Sequence, residues 1–156
     1  NLELEESKSR MIEFGKYAEI NSKRKYGRKA ETFNFLGFTL YCGKSRHSGE
    51  FCVKLKTNSK KFTQKLKQTK EWLYQNNDLP VKDLITRLNK KLVGHYRYYG
   101  VSHNINKLSA FLHYVQRYLF KVLNRRSHKK SYTWDGYIDM LKVYPLAKPK
   151  IYVKLF

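Results

Sequence analysis

The chain of 156 residues carries 33 Lys and Arg against 12 Asp and Glu, a formal net charge of +21, and aromatic residues make up 15% of it. The length suits one domain with a real core, or one small domain plus part of another. A surplus of this size repels itself unless a polyanion neutralises it, and the ring content argues against a disordered basic tail.

No apolar run approaches the roughly 20 residues that span a bilayer, and the start, NLELEESKSR, is acidic and polar rather than a signal peptide. A cytoplasmic protein bound to RNA or DNA is therefore a simpler reading than one bound to a membrane. A first residue of Asn, with no initiator Met, suggests a piece of a longer protein.

Residues 1 to about 57 read as strands and turns. Leu2 and Leu4 alternate with acids, as in a half-buried strand. The segment EESKS then turns into RMIEF, and NSKRKYGRKAE reads as a basic, polar linker. FNFLGFTLYC and EFCVKLK read as two strands joined by the turn GKSRHSGE. Cys42 and Cys52 lie on these two arms. A disulfide is disfavoured in a cytosolic chain. With His47 the two cysteines invite a zinc site, but three ligands on one hairpin without a fourth make a weak case.

From about residue 58 the pattern turns helical. The first helix spans Ser59 to Gln75, with a stripe of Phe62, Leu66, Thr69 and Leu73. Pro80 opens a second, whose stripe is Val81, Leu84, Leu88, Leu92, Tyr96 and Tyr99, with Gly100 as its stop. The third runs from about Asn104 to Arg125 on Ile105, Leu108, Leu112, Val115, Leu119 and Val122. A short fourth follows Thr133 as N-cap, and the tail PLAKPKIYVKLF reads as extended. Consecutive amphipathic helices with short links imply a bundle. The fold class is α+β, mainly α: N-terminal β-hairpins over 1–57, then a bundle of three to four helices over 58–156.

The second helix has another face. Arg87, Lys90, Lys91, Gly94, Arg97 and Tyr98 recur every three or four residues, away from the leucine stripe. Most such runs are solvated surface. Here no acid follows Asp83 on the helix, Gly94 leaves room for a close approach, and Tyr98 offers a flat ring to a base or sugar. The sequence GHYRYYG at 94–100 is thus split, with Tyr96 and Tyr99 assigned to the core and Arg97 and Tyr98 to nucleic acid. On the third helix, Lys107, Phe111, Tyr114, Tyr118, Lys121 and Arg125 form a second stripe. Phe111 reads as core, while Tyr118 suits core and contact equally. The run NRRSHKKS adds Arg126, Lys129 and Lys130 as phosphate contacts, which set position rather than sequence preference.

Catalytic constellations are missing from this pattern. The acids are scattered with no adjoining aspartates, whereas polymerase chemistry needs carboxylates clustered around metal ions. No P-loop appears, and the histidines lack a spaced nucleophile or ligand set.

Four segments, in order, resemble the C-terminal part of group II intron reverse transcriptase/maturases. LELEESKSRMIEFG resembles the penultimate palm block, Leu-x-Leu-x-x-x-Lys-Thr, and FNFLGF the last palm block. LVGHYRYYG resembles the Gly-x-x-x-Tyr-Tyr element of the maturase-specific thumb, and LNRRSHKKSYTWDGYIDML the Arg-Arg…Lys…Thr-Trp segment after it. The resemblance implies the end of a polymerase palm over 1–57 and a maturase-specific thumb over 58–156. Such a thumb grips a template–primer duplex and binds intron RNA, supporting reverse transcription, RNA splicing and intron mobility. The family's Tyr-x-Asp-Asp box is not in this chain, so the chain alone is expected to be inactive. It holds no cofactor of its own, with Mg2+ serving the full-length polymerase. The implied partners are intron RNA, an RNA template–DNA primer duplex, and the fingers and catalytic palm of the same polymerase. By carry-over, Lys8 lies near the incoming nucleotide's phosphates and Gly37 near the primer. Ser9 replaces the family's Thr, and His95 stands where many members carry an aromatic residue.

The alternative is a stand-alone basic RNA-binding module without polymerase ancestry. The strands discriminate: in a severed palm FNFLGFTL exposes an edge, whereas in a stand-alone module it pairs within the chain. An enzyme with a metal site at Cys42, His47 and Cys52 is the third class.

Overall fold

A computed structural model describes residues 9, 11–126 and 132–155. The fold is α+β, mainly α, and the chain divides into two compact units, Asn1–Leu55 and Lys56–Phe156. The expected strand at Leu2 and Leu4 lies outside the described residues.

The first unit departs from expectation in three places. The segment read as a linker holds a helix, α1 (Ala18–Tyr26). Its sequence, AEINSKRKY, lacks an apolar stripe, so periodicity could not reveal it. Its ends are what define it. Glu19 lies in the first turn, and Lys23, Arg24 and Lys25 in the last, matching the helix dipole. Gly27 then stops the helix in the left-handed region at φ 63°, its N–H donating to the Lys23 carbonyl.

Second, FNFLGFTLYC is two strands, β1 (Phe33–Phe35) and β2 (Phe38–Lys44), which pair antiparallel with Phe33 opposite Leu40 and Phe35 opposite Phe38. Leu36 and Gly37 between them have φ 47° and 81°. Two positive φ values are what the tight two-residue hairpin turn requires. Glycine meets that freely, and leucine at a cost of about 1–2 kcal/mol. Third, residues 11–14 of RMIEF form no strand; Phe14 instead sets its ring edge-on to Phe33 at 5.0 Å. The sheet is completed by β3 (Phe51–Thr57) in the order β1-β2-β3, with the β2–β3 turn closed by Ser45 N–H donating to the Glu50 carbonyl at 2.7 Å.

The second unit holds α2 (Ser59–Gln75), α3 (Val81–Tyr99), α4 (Ile105–Asn124) and α5 (Trp134–Val143), at the expected places to within a residue. Asn58 caps α2 by accepting from the Lys60 and Lys61 amides, and Thr133 caps α5 by accepting from Gly136 N–H at 3.2 Å. Leu66 and Leu73 of α2 are buried with Leu84, Leu88 and Leu92 of α3 and Leu108, Val115 and Leu119 of α4. Phe62, Thr69, Val81 and Leu112, expected in the stripes, are only half-buried, and Ile105 is exposed. α5 joins through Tyr137, whose ring meets Phe120 at 5.2 Å and whose hydroxyl donates to the Gln116 carbonyl at 2.8 Å.

Asn104 is fully buried between α3 and α4 and makes no side-chain cap. Its Oδ1 accepts from Thr57 N–H at 2.9 Å, and its Nδ2 donates to Thr57 Oγ1 and to the Tyr99 carbonyl, both at 2.8 Å.

The tail is extended, as expected, and it straps α3. Asn89 donates to the Pro145 carbonyl and accepts from Ala147 N–H; Tyr96 hydroxyl donates to the Ala147 carbonyl at 3.1 Å. At the helix end, Tyr152 and Val153 amides both donate to the Gly100 carbonyl, at 2.7 and 3.0 Å. Gly100 stops α3, as expected. It has φ −79°, outside the left-handed region. A Cβ there would collide with the Tyr96 carbonyl oxygen and stand 2.6 Å from that of Lys150. The glycine lets the tail approach.

His95 fills an aromatic's place. It stacks on Phe111 at 3.9 Å and 14° and lies 4.8 Å from Tyr99. Burial, with Lys65 nearby, pulls its pKa down to about 4, so the ring is neutral at pH 7.

Two glycines of one helix and its stop should respond oppositely to a methyl group. Gly94→Ala meets nothing within 4 Å and should raise stability by about 0.5–1 kcal/mol. Gly100→Ala should lower it by about 1–3 kcal/mol. Thermal denaturation of both variants checks the pair. The neutral His95 makes a second expectation. The unfolded chain binds this proton near pH 6.5 and the folded chain only near 4, so stability is lost as pH falls through that window, by on the order of 3 kcal/mol at most. His95→Phe keeps the stacked ring and should flatten that part of a stability–pH profile.

Candidate nucleic-acid interface

At 100° per residue, Arg87, Lys90, Lys91, Gly94, Arg97 and Tyr98 fall within an arc of about 120° on α3, opposite Leu88, Leu92 and Tyr96. All six are exposed. The helix buries Tyr96 and Tyr99 of GHYRYYG, 1% and 5% exposed, as expected of core residues, and leaves Tyr98 55% exposed. Tyr98 sets its ring edge-on to Tyr99 at 4.7 Å, which braces it at the surface. Burial pushes the Tyr96 hydroxyl well above the usual tyrosine range, so it remains a donor to the tail.

None of the four cations on this face forms an ion pair with an acid among the described residues; the recorded pairs are Lys25–Glu13, Arg28–Glu31, Lys67–Glu71 and Lys142–Asp139. Lys91 instead places its ammonium 5.0 Å from the centre of the Trp72 ring on α2.

The α4 stripe divides. Phe111 is core, 2% exposed and stacked on His95. Tyr114 and Lys121 are exposed, Tyr118 is half-buried, and Arg125 is exposed just past the helix end. Rings and cations of α2 meet this stripe. Lys107 lies over Phe62 at 5.1 Å, Lys70 over Tyr118 at 5.7 Å, and Arg125 over Tyr74 at 5.2 Å.

Sequence reasoning missed α2 as a contributor. Lys60, Lys61, Lys65, Lys67 and Lys70 are all exposed on it, and its single acid, Glu71, faces Lys67 at 3.9 Å. The run SKKFTQKLKQTK carries this signal, with a lysine at five of the nine positions the apolar stripe leaves free.

Arg126 is placed differently from its neighbours. It is half-buried, and its Nε and one Nη lack a hydrogen-bond partner among the described residues. Burial lowers its pKa from the ordinary value, while Tyr132 and Asp78 act in the other direction. Gly37 sits in the β1–β2 turn. Lys8, Lys129 and Lys130 lie outside the described residues.

Among the described residues no group of three or more His, Cys, Asp or Glu side chains is placed to hold a metal ion, so Cys42, His47 and Cys52 do not converge on one. Both cysteines are free thiols, and Cys42 donates to the Gly15 carbonyl at 3.6 Å. No helix among the described residues is long and apolar enough to cross a membrane.

The arrangement can hold a polyanion. It pairs unneutralised cations with partly exposed rings on a helical unit whose opposite side is closed core. Comparison with curated proteins and with solved structures gives no match. The family model for the group II intron, maturase-specific domain matches residues 59–137, from the start of α2 into α5. That match takes in both basic faces and spans half of the chain, and the chain therefore belongs to the group II intron maturase-specific domain family.

Proposed function

We propose that the helical unit binds intron RNA and a template–primer duplex as the thumb of a group II intron reverse transcriptase/maturase. In that protein it supports reverse transcription, splicing and intron mobility. The single observation that carries this reading is the α3 face, with Arg87, Lys90, Lys91 and Arg97 exposed and no acid partner among the described residues. A solvated face of ordinary kind mixes both signs. Family membership supplies the group II intron, maturase and splicing context. Gly94 adds an exposed stretch of helix where a Cβ would meet nothing, so a sugar–phosphate chain can come close.

In the same proposal the first unit is the end of the palm, with Gly37 near the primer, Lys8 near the nucleotide, and Mg2+ bound by the catalytic palm rather than by this chain. We place the protein in the cytoplasm. A second reading draws on the sheet. β2 is flanked by β1 and β3 of the same chain, which is the pairing expected of an RNA-binding module that works without a polymerase. The two readings part on the ligand. A thumb binds an RNA–DNA duplex as well as intron RNA, and a module dedicated to RNA prefers the latter alone.

The test is a binding titration with a group II intron RNA fragment and with an RNA–DNA duplex, each over a range of salt. If about six phosphates are neutralised, log affinity against log salt should fall with a slope of roughly −4 to −5; a flat response removes the proposal. Arg97→Ala should reduce the steepness by about 1 and leave the melting temperature unchanged. Tyr96→Ala should do the reverse, costing about 3 kcal/mol or more of stability. Unfolding by both variants would overturn the division of the helix into a core face and a binding face.

A further inference from the structure

The rings at the α2–α4 seam are turned to cations. Tyr74 is 6.0 Å from the Lys70 ammonium and 5.2 Å from the Arg125 guanidinium, while Lys70 also lies 5.7 Å from the centre of the Tyr118 ring. One tyrosine thus holds a cation from each helix, and one lysine is held between a ring of each. None of Lys70, Arg125 and Lys107 pairs with an acid among the described residues, in contrast to Lys67, which faces Glu71.

We propose that this seam is a second RNA-backbone site, separate from the α3 face, in which Tyr74 and Tyr118 hold Lys70 and Arg125 in place for phosphates. The inference rests on the RNA-binding reading above and adds where, and by what device, a second stretch of backbone is held. A guanidinium held by a ring rather than by a carboxylate keeps N–H donors available for a phosphate's oxygens. An ammonium over a ring likewise keeps its donors on the far side. Holding the head groups before RNA arrives reduces the side-chain ordering that binding otherwise requires.

An acid partner would fix the cations too, but it would also neutralise them. A ring fixes them and leaves the charge. The same geometry argues against base stacking here, because cations already lie over the rings that bases would use. α2 stands between the two sites, its Trp72 meeting Lys91 of α3 and its Tyr74 meeting Arg125 beyond α4.

The experiment measures binding of the full chain to an RNA hairpin across salt, for Lys70→Gln/Arg125→Gln, Tyr74→Leu, Tyr74→Phe and Arg97→Ala, with folding checked by melting. The double variant should reduce the salt slope by about 1.4–1.8, the loss of two phosphate contacts. Tyr74→Leu should weaken binding about threefold or more with no charge removed, and Tyr74→Phe should bind as the parent does, since the ring is what holds the cations. If the double variant keeps parental affinity and slope while Arg97→Ala weakens binding, the seam is no RNA site and the thumb reading stands. If the double variant weakens binding but Tyr74→Leu, folded, does not, the charge acts without the rings and the proposed device is wrong. If the parent chain fails to bind the hairpin at all, the RNA reading itself fails. Loss of binding to phosphatidylserine vesicles with RNA binding intact would overturn the proposal in favour of a lipid surface.

Discussion

The second unit depends on one buried amide. Asn104 is fully buried at the α3–α4 junction, and a buried amide without partners would cost several kcal/mol. Its side chain makes two bonds to Thr57 and one to the Tyr99 carbonyl at the end of α3, and its own backbone begins α4. These bonds are satisfied only in one relative placement of the three segments. The amide therefore holds the end of α3 and the start of α4 against Thr57, with the buried faces of the two helices turned inward. The exposed faces follow. With Leu88, Leu92 and Tyr96 committed to the interior, helical geometry places Arg87, Lys90 and Arg97 outside.

The tail completes that constraint from the other side of α3. Its hydrogen bonds to Asn89, Tyr96 and the Gly100 carbonyl run along the helix in step with the chain. Helices are held by packing more than by propensity, and α3 carries Gly94 in its exposed middle, a weak point by propensity. A helix clamped by core on one side and by a strap on another can leave its third side bare. His95 fits the same logic. As a neutral ring stacked on Phe111 it fills the α3–α4 contact without adding a buried charge to a chain that already has a net charge of +21.

What was legible in the sequence followed from local rules. Helices α2 to α4 were readable because apolar residues recur every three or four positions, and α5 because Thr133 carries an N-cap residue type that the structure uses. The division of Tyr96 from Arg97 and Tyr98 came from the same period. α1 was illegible because a nine-residue helix with two buried side chains, Ala18 and Ser22, leaves no stripe; Gly27 after a basic turn was its only mark. The β1–β2 turn was missed because it sets Leu36 at positive φ, where Asn or Asp is the usual first residue. Gly100 reads from the sequence only as a helix stop, and its role in admitting the tail is not visible there, because the tail partner lies some fifty residues away. The Tyr74–Arg125 and Lys70–Tyr118 contacts were illegible for that reason too. Each half of such a pair looks like ordinary surface until the fold joins them.

The core and the charged surface are coupled through the aromatic residues. Tyrosine is well suited to this, since its ring packs like an apolar group while its hydroxyl stays polar. Tyr96 and Tyr137 use that hydroxyl inward, on the carbonyls of Ala147 and Gln116. Tyr74 and Tyr118 present their ring faces to cations instead. A leucine could fill the volume of any of these positions but could neither bond the strap nor hold an unneutralised cation. The 13 tyrosines of the chain thus bear on how so basic a protein folds and still keeps its charge available: where acids would neutralise lysine and arginine, rings steady them and leave the charge to a partner.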